Sequence, residues 1–294
     1  MAISTINGVT AGNIAILNGL SYSLVSTYNG IVSSSAAPPT PSSASFVTSS
    51  LLAYWDPNDS GSRAVYPFST AFSCSLNLAP NYTSSVFNTN GSGSFLLVNG
   101  AYFRDFTSGS VSLTTYYFDG VNDYAALRPI GNPAWAGDPN VVTNLKTFSI
   151  EMWLRSSGSW INGGNFYSAA GNSGNRTRAN DTAGVIWYYA PNVNSGVTGG
   201  TLATNVWNHF VVTMADLNAT NDRMKGYVNG VEVFSDTTGN YNPNYNFSEW
   251  LVATFFGGSE FQRMYTGEIR RYQKELTLAE VQQNYSSSKA RYGR

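Results

Sequence analysis

The sequence has 294 residues, of which 42% are hydrophobic, 14% aromatic and only 11% charged. This length is enough for one large all-β domain or two smaller ones, and the aromatic content argues against disorder. The net charge of -1 excludes nucleic-acid binding by phosphate neutralisation, and no apolar run is long enough to span a membrane.

The first 32 residues contain three copies of a short pattern centred on Asn-Gly. The copies are Ile6-Asn7-Gly8, Leu17-Asn18-Gly19 and Tyr28-Asn29-Gly30, and their asparagines, at positions 7, 18 and 29, are 11 residues apart. Asn-Gly is the strongest short turn signal, because both residues tolerate positive φ. Such short units cannot bury an apolar face alone. We therefore predict that residues 1–32 form an arm that assembles with identical chains, as a trimer, or docks on other proteins.

Residues 33–45 (SSSAAPPTPSSAS) predict a linker. Small side chains offer little to pack, and Pro38, Pro39 and Pro41 favour an extended polyproline conformation. The arm is therefore expected to be separate from the domain formed by residues 46–294.

From Phe46 onward the sequence alternates between short strand-like segments and turns. The candidate strands are 51–55, 112–119, 124–127, 148–155, 184–190, 207–214, 224–228, 231–234, 251–256 and 264–272. Asn229-Gly230 between two of them predicts a tight hairpin. This spacing is typical of an all-β antiparallel sandwich.

One helix is predicted near the end of the chain. Thr277 and Glu280 form a capping box, and Leu278, Val281 and Tyr285 then fall on one helical face. We expect a short helix that packs on the sandwich.

Five segments, in chain order from residue 117 to residue 285, resemble laminin-G-like and concanavalin A-like jelly-roll domains. They are 117–124 (YFDGVNDY), 147–153 (TFSIEMW), 207–213 (WNHFVVT), 225–230 (KGYVNG) and the ending from Gly267 to Tyr285. The ending also resembles a version common in tailed-phage structural proteins, and the N-terminal repeat is similar to arms on virion proteins of marine phages.

The resemblance implies a phage virion protein: a capsid decoration protein or a fibre-like appendage that displays a lectin-like head. The arm would dock on other virion proteins. Since the N-terminus lacks the basic start and apolar stretch of a secretory signal, the chain would be made in the host cytoplasm and displayed on the virion surface. A carbohydrate-binding adhesin for host recognition is the alternative from a different class.

A glycan hydrolase is the third alternative. Glucanases with this fold need two or three carboxylates on one strand, but the strand around 149–157 carries only Glu151, and Glu268 belongs to another strand. The one histidine, His209, lies inside a strand, and the one cysteine, Cys74, has no partner motif. We therefore expect no enzymatic activity.

Aromatic and polar side chains indicate where a sugar could bind. Trp153 shares a strand face with Glu151 and Arg155, opposite the apolar residues 148, 150, 152 and 154. Trp160 and Tyr167 belong to the Gly/Asn-rich stretch 156–183, which predicts a long loop. Sugars stack on rings and pair with planar polar groups, so these five residues form the candidate host-glycan site. The alternative is that the loop covers Trp153.

A corner in the sequence offers oxygen ligands of the kind calcium prefers. Asp119, Asn122 and Asp123 are closely spaced there, and related lectin-like domains bind Ca²⁺ through such residues. The alternative is turn formation, for which Asp and Asn are the usual residues. We expect no obligatory cofactor, with Ca²⁺ as the open alternative.

Overall fold

The computed structural model describes residues 46–59, 95–127, 147–170, 176–189, 197–217, 222–237, 249–255 and 259–294, with short strands at 5–6, 9–10, 27–28, 31–32, 63–64 and 73–75. The chain forms two compact units, Met1–Thr40 and Pro41–Arg294. The division falls within the stretch 33–45, whose conformation lies outside the described residues.

The N-terminal unit contains two very short antiparallel pairs. Strand β1 (Thr5–Ile6) pairs with β2 (Val9–Thr10), and β3 (Thr27–Tyr28) pairs with β4 (Ile31–Val32). Each pair flanks one of the predicted Asn-Gly turns. The turn residues Asn7, Gly8, Asn29 and Gly30, and the whole copy from Leu17 to Gly19, lie outside the described residues, so trimer formation stays a prediction.

The larger unit is a sandwich of two antiparallel sheets, which confirms the predicted fold class. The front sheet contains β5 (Leu51–Trp55), β9 (Tyr102–Ser108), β10 (Val111–Asp119), β12 (Phe148–Ser156), β17 (Asn208–Asp216), β18 (Asp222–Val228), β19 (Val231–Asp236) and β21 (Arg263–Tyr272). Its order is β19-β18-β17-β12-β21-β10-β9, and β5 also pairs with β21.

The back sheet has nine strands. They are β6 (Arg63–Ala64), β7 (Ser73–Ser75), β8 (Phe95–Val98), β11 (Tyr124–Leu127), β13 (Asn165–Ala170), β14 (Arg176–Ala179), β15 (Val185–Tyr189), β16 (Val197–Thr201) and β20 (Glu249–Val252). Their order is β16-β15-β14-β13-β20-β11-β8-β7-β6. Strands β13 and β14 lie within 156–183, so the prediction of one long loop there is wrong.

The main core lies between the two sheets. Phe148, Ile150, Met152 and Leu154 of β12 all face it and are buried, as the alternation along this strand predicts. Each such side chain contributes about 1.5–3 kcal/mol on burial. The interior face of β12 is therefore fixed by sequence parity.

Part of the outer face of the front sheet is covered as well. Helix α1 (Leu278–Ser288), a 3₁₀ turn (Lys289–Tyr292) and buried side chains of residues 46–56 provide the apolar contacts there. The predicted capping box is present, because Glu280 N–H donates to Thr277 Oγ1 at 3.3 Å and Thr277 N–H donates to Glu280 Oε2 at 3.0 Å. Strand β12 is consequently buried on both faces, although its alternation of apolar and polar residues is the pattern of a half-buried strand.

A bulge in β21 receives the C-terminal turn. Met152 pairs with Ile269 but Leu154 pairs with Thr266, so two residues of β21, Gly267 and Glu268, lie opposite Trp153 alone. The Glu268 N–H donates to the Tyr292 hydroxyl at 2.8 Å. A Cβ on Gly267 would lie 2.3 Å from that hydroxyl oxygen, so only glycine permits this approach.

Candidate functional site

Trp153 points away from the main core, as predicted, but it is not offered to a ligand. Its ring has no exposed surface and stacks on Tyr292, with ring centroids 4.2 Å apart and planes 13° apart. Its Nε1 donates to Ser288 Oγ at 3.0 Å. The side chain is thus covered by helix α1 and the C-terminal turn, and not by 156–183.

Trp160 and Tyr167 lie in the core between the sheets. Trp160 is 1% exposed and donates from Nε1 to the Leu202 carbonyl at 2.8 Å, and Tyr167 is 3% exposed. Burial raises the pKa of the Tyr167 hydroxyl. A ring without exposed surface cannot stack on a sugar, so the predicted platform of Trp153, Trp160 and Tyr167 does not form in this structure.

Glu151 lies under the C-terminal segment, in a buried network of charged and polar side chains. Arg270 binds both Glu151 and Glu268, and His209 Nε2 lies 3.0 Å from Glu151 Oε1. Asn284 of helix α1 donates to the other Glu151 oxygen. Burial favours the neutral acid, but Arg270 and then His209 outweigh it and lower the pKa of Glu151 to about 2.

Arg291 connects this network to Asp56, which directly follows strand β5. Its guanidinium donates to both carboxylate oxygens of Asp56, at 2.8 and 2.9 Å, and to Glu268 Oε1 at 2.7 Å. Burial raises the pKa of Glu268, although Arg270 and Arg291 oppose that rise. The chain folds so that three carboxylates from separate strands and loops share two arginines, and all five side chains are buried.

The buried network bears on the expectation that the chain lacks a catalytic pair of carboxylates. Folding does bring Glu151 and Glu268 to one arginine, which sequence reasoning missed because the two acids lie on different strands. Both are about 1% exposed and bound by cations. Inaccessible, ion-paired carboxylates are poorly suited to act as general acid and nucleophile. Among the described residues, no group of three or more His, Cys, Asp or Glu is arranged to hold a metal ion.

The corner at Asp119 uses its polar side chains to form the turn. Asp119 Oδ1 accepts from the N–H groups of Val121 and Asn122, at 2.7 and 3.4 Å. Asp123, which is 3% exposed, accepts from the Asp119 N–H at 3.1 Å, and burial raises its pKa. These contacts are those of an Asx turn. Calcium binding at Asp119, Asn122 and Asp123 stays a prediction.

Arg155, the remaining predicted residue, belongs to a different surface. Cross-strand pairing on the outer face of the front sheet joins Tyr102 of β9 to Tyr117 of β10, Tyr117 to Tyr265 of β21, and Tyr265 to Arg155 of β12. We call Tyr102, Tyr117 and Tyr265 the tyrosine row. It lies at the sheet edge beyond the C-terminal turn, and exposure falls along it from Tyr102 (43%) through the half-buried Tyr117 to the buried Tyr265 (9%).

The tyrosine row is continuous and flanked by cations. Ring centroids of Tyr102 and Tyr117 are 5.6 Å apart, and those of Tyr117 and Tyr265 are 4.9 Å apart. The Arg104 guanidinium lies 4.6 Å from the Tyr117 ring centroid, and that of Arg155 lies 5.9 Å from the Tyr265 centroid. An aromatic surface with planar polar groups at its border is what sugar recognition requires.

Sequence reasoning missed the tyrosine row because Tyr265 of β21 lies far along the chain from the β9–β10 hairpin that carries the other two members. The alternation of Tyr102, Arg104 and Phe106 with Phe103 and Asp105 was the available signal, since it places an aromatic and cationic series on one face of β9. Only pairing with β10 and β21 shows that the face continues.

Comparison with known families agrees with this architecture. A laminin-G model described as the Concanavalin A-like lectin/glucanases superfamily matches residues 119–282, which is more than half of the chain. The chain belongs to this superfamily. The matched part of this lectin-like domain includes β12, β17 and the corner at Asp119. A search among curated proteins finds no match.

Solved structures resemble the lectin-like domain in fold. The binding domain of botulinum neurotoxin serotype D/C aligns with a TM-score of 0.52 at 11% identity, covering 82% of this chain and 52% of that one. A Trypanosoma rangeli sialidase mutant gives 0.55 at 13% identity, covering 84% and 34%. Domain 4 of the Geobacillus stearothermophilus arabinanase AbnA, solved with arabinotriose, gives 0.52 at 15%, covering 80% and 98%.

The present chain therefore spans about half the length of the toxin domain that it resembles.

Within the residues that the structure describes, no helix is long and apolar enough to cross a membrane.

Proposed function

We propose that the lectin-like domain binds carbohydrate without hydrolysing it, and that the tyrosine row is the binding surface. The observation that carries this proposal is the position of the row: three tyrosines from neighbouring strands lie side by side, and the outermost is 43% exposed. Such a surface can stack against the C–H face of a sugar while the arginines and phenol hydroxyls reach its hydroxyls. The AbnA domain, with its bound arabinotriose, has the same general fold.

The absence of hydrolysis is proposed from the state of the acids. Glu151 and Glu268 lie beneath helix α1 and the C-terminal turn, bound by Arg270 and Arg291. A substrate would have to displace this cover before it reached either carboxylate.

We further propose that the protein is a phage virion component, a decoration protein or a fibre-like appendage at the particle surface. The support is the resemblance of residues 267–285 to phage structural proteins and the Asn-Gly repeat of residues 1–32. In this proposal the arm trimerises or docks on other virion proteins, and the head faces host glycans.

Binding to immobilised glycans tests the carbohydrate proposal. Pure full-length protein should bind at least one polysaccharide, and Tyr102→Ala should weaken that binding about tenfold, because stacking contributes roughly 1 kcal/mol or more beyond the buried area. The control is Val231→Ala, which truncates another exposed apolar side chain, on β19 at the opposite end of the sheet. No binding, or equal loss in both variants, would refute the proposal. Release of reducing sugar that Glu151→Gln abolishes would refute the non-enzymatic part.

Sedimentation of the full-length protein and of residues 46–294 tests the assembly role of the arm. Full-length protein should sediment as a trimer or bind particles, and residues 46–294 should be monomeric. Equal monomer masses with undiminished particle binding by the shorter chain would contradict the assigned role of residues 1–32.

A further inference from the structure

The charges around the tyrosine row are unbalanced. Arg104 is exposed and Arg155 is half-buried, and both guanidinium groups lie near the same ring, 5.7 and 5.9 Å from the Tyr265 centroid. Arg155 additionally lies 4.6 Å from the Phe106 ring centroid. Two cations therefore border one short aromatic surface.

Neither cation is neutralised by the protein. In the described parts of the chain, all ion pairs involve other residues, and neither Arg104 nor Arg155 contacts a carboxylate. Arg176, Arg223 and Arg291, by contrast, each bind an acid. Asp119, which shares a face of β10 with Tyr117, uses its Oδ1 to accept from backbone N–H groups of its turn.

Arginine paired only with rings keeps its N–H donors for a ligand. Cation–π contact satisfies none of the five guanidinium donors. Among the described residues, the one hydrogen bond of the Arg155 side chain is to the Ser156 carbonyl, at 3.3 Å. A carboxylate or sulfate accepts two parallel hydrogen bonds from such a fork.

We propose that the tyrosine row, with Arg104 and Arg155, selects acidic polysaccharides, whose carboxylate or sulfate groups bind the two guanidinium groups while the sugar rings lie against Tyr102 and Tyr117. This proposal deepens the carbohydrate-binding function and rests on it. A neutral glycan would leave both cations without a counter-charge, and a second copy of this chain would bring like charges together across the interface.

Matched polymers test the selectivity. The full-length protein is titrated with polygalacturonate and its methyl ester, and with dextran sulfate and dextran. Each acidic polymer should bind at least about tenfold more tightly than its neutral form, because a hydrogen bond to a charged group contributes that much. Binding should weaken as salt is raised. The carboxylate and sulfate pairs show which anion is preferred.

Arginine variants separate a built site from general electrostatics. Arg104→Gln and Arg155→Gln should each weaken acidic binding about tenfold and neutral binding less than twofold. Lys225→Gln, which removes the same charge from β18, should change neither. Thermal unfolding confirms that each variant is folded.

The outcomes distinguish the two levels of the proposal. Equal affinity for acidic and neutral polymers would overturn the selectivity but not the carbohydrate binding. The same conclusion would follow if Lys225→Gln weakened binding to acidic polymers as much as the arginine variants do. Failure to bind any polymer overturns both. Self-association that Tyr102→Ala abolishes would identify a second copy as the occupant and overturn the selectivity.

Discussion

The C-terminal turn is held to the sandwich by Arg291, and replacing this residue with methionine is the sharpest test of the fold's outer layer. Arg291 donates two hydrogen bonds to Asp56 and one to Glu268, and all three side chains are buried. Methionine keeps much of the length and apolar volume of the side chain and removes the charge. The variant therefore isolates the ion pairs from the packing.

The size of the destabilisation depends on the hydrogen-bond donors that each acid keeps when Arg291 is replaced. Glu268 keeps Arg270, and Asp56 keeps the Tyr54 hydroxyl at 3.1 Å and the Asn58 N–H at 2.9 Å. Breaking one side of a buried ion pair costs about 3–5 kcal/mol. Because both acids keep other donors, we expect Arg291→Met to lower the free energy of unfolding by about 3 kcal/mol, at the lower end of that range.

Urea denaturation at neutral pH, followed by tryptophan fluorescence, measures this loss. Lys289→Met is the control, because Lys289 lies in the same 3₁₀ turn, is exposed and only approaches the Tyr285 ring, at 5.7 Å. We expect the control to change stability by less than about 1 kcal/mol. A loss below 1 kcal/mol in Arg291→Met, or an equal loss in the control, would show that the network does not hold the segment.

Three further predictions concern the same layer. Ionised Glu151 stabilises the fold at pH values above 4.5, the usual pKa of the group, and the difference in pKa corresponds to about 3 kcal/mol. This stabilisation is lost as pH falls from 4.5 toward about 2. The urea midpoint should therefore fall more steeply over that range in wild type than in Glu151→Gln. Trp153→Ala should cost about 3–5 kcal/mol in urea denaturation but leave glycan binding by the folded protein unchanged; reduced binding would place Trp153 in the site. Gly267→Ala should cost about 1–3 kcal/mol by displacing Tyr292, and wild-type thermal melting would contradict that contact.

The sequence by itself determined the architecture of the larger unit. Alternation along 148–155, the Asn229-Gly230 turn and the Thr277–Glu280 capping box depend on local geometry, and each appears where it was predicted. Local patterns carry this information because strand parity, turn conformation and helix capping involve residues close together in the chain.

Only the tertiary structure decided what each face of the front sheet contacts. Parity showed that Trp153 turns away from the core, but the residues that bury it, Ser288 and Tyr292, follow it by more than 130 positions. The tyrosine row likewise depends on the pairing of β9, β10, β21 and β12. Burial and cross-strand contacts depend on segments that are distant in the chain. A period-2 pattern specifies the face of the sheet on which a side chain lies, but not the residues that pack against that side chain.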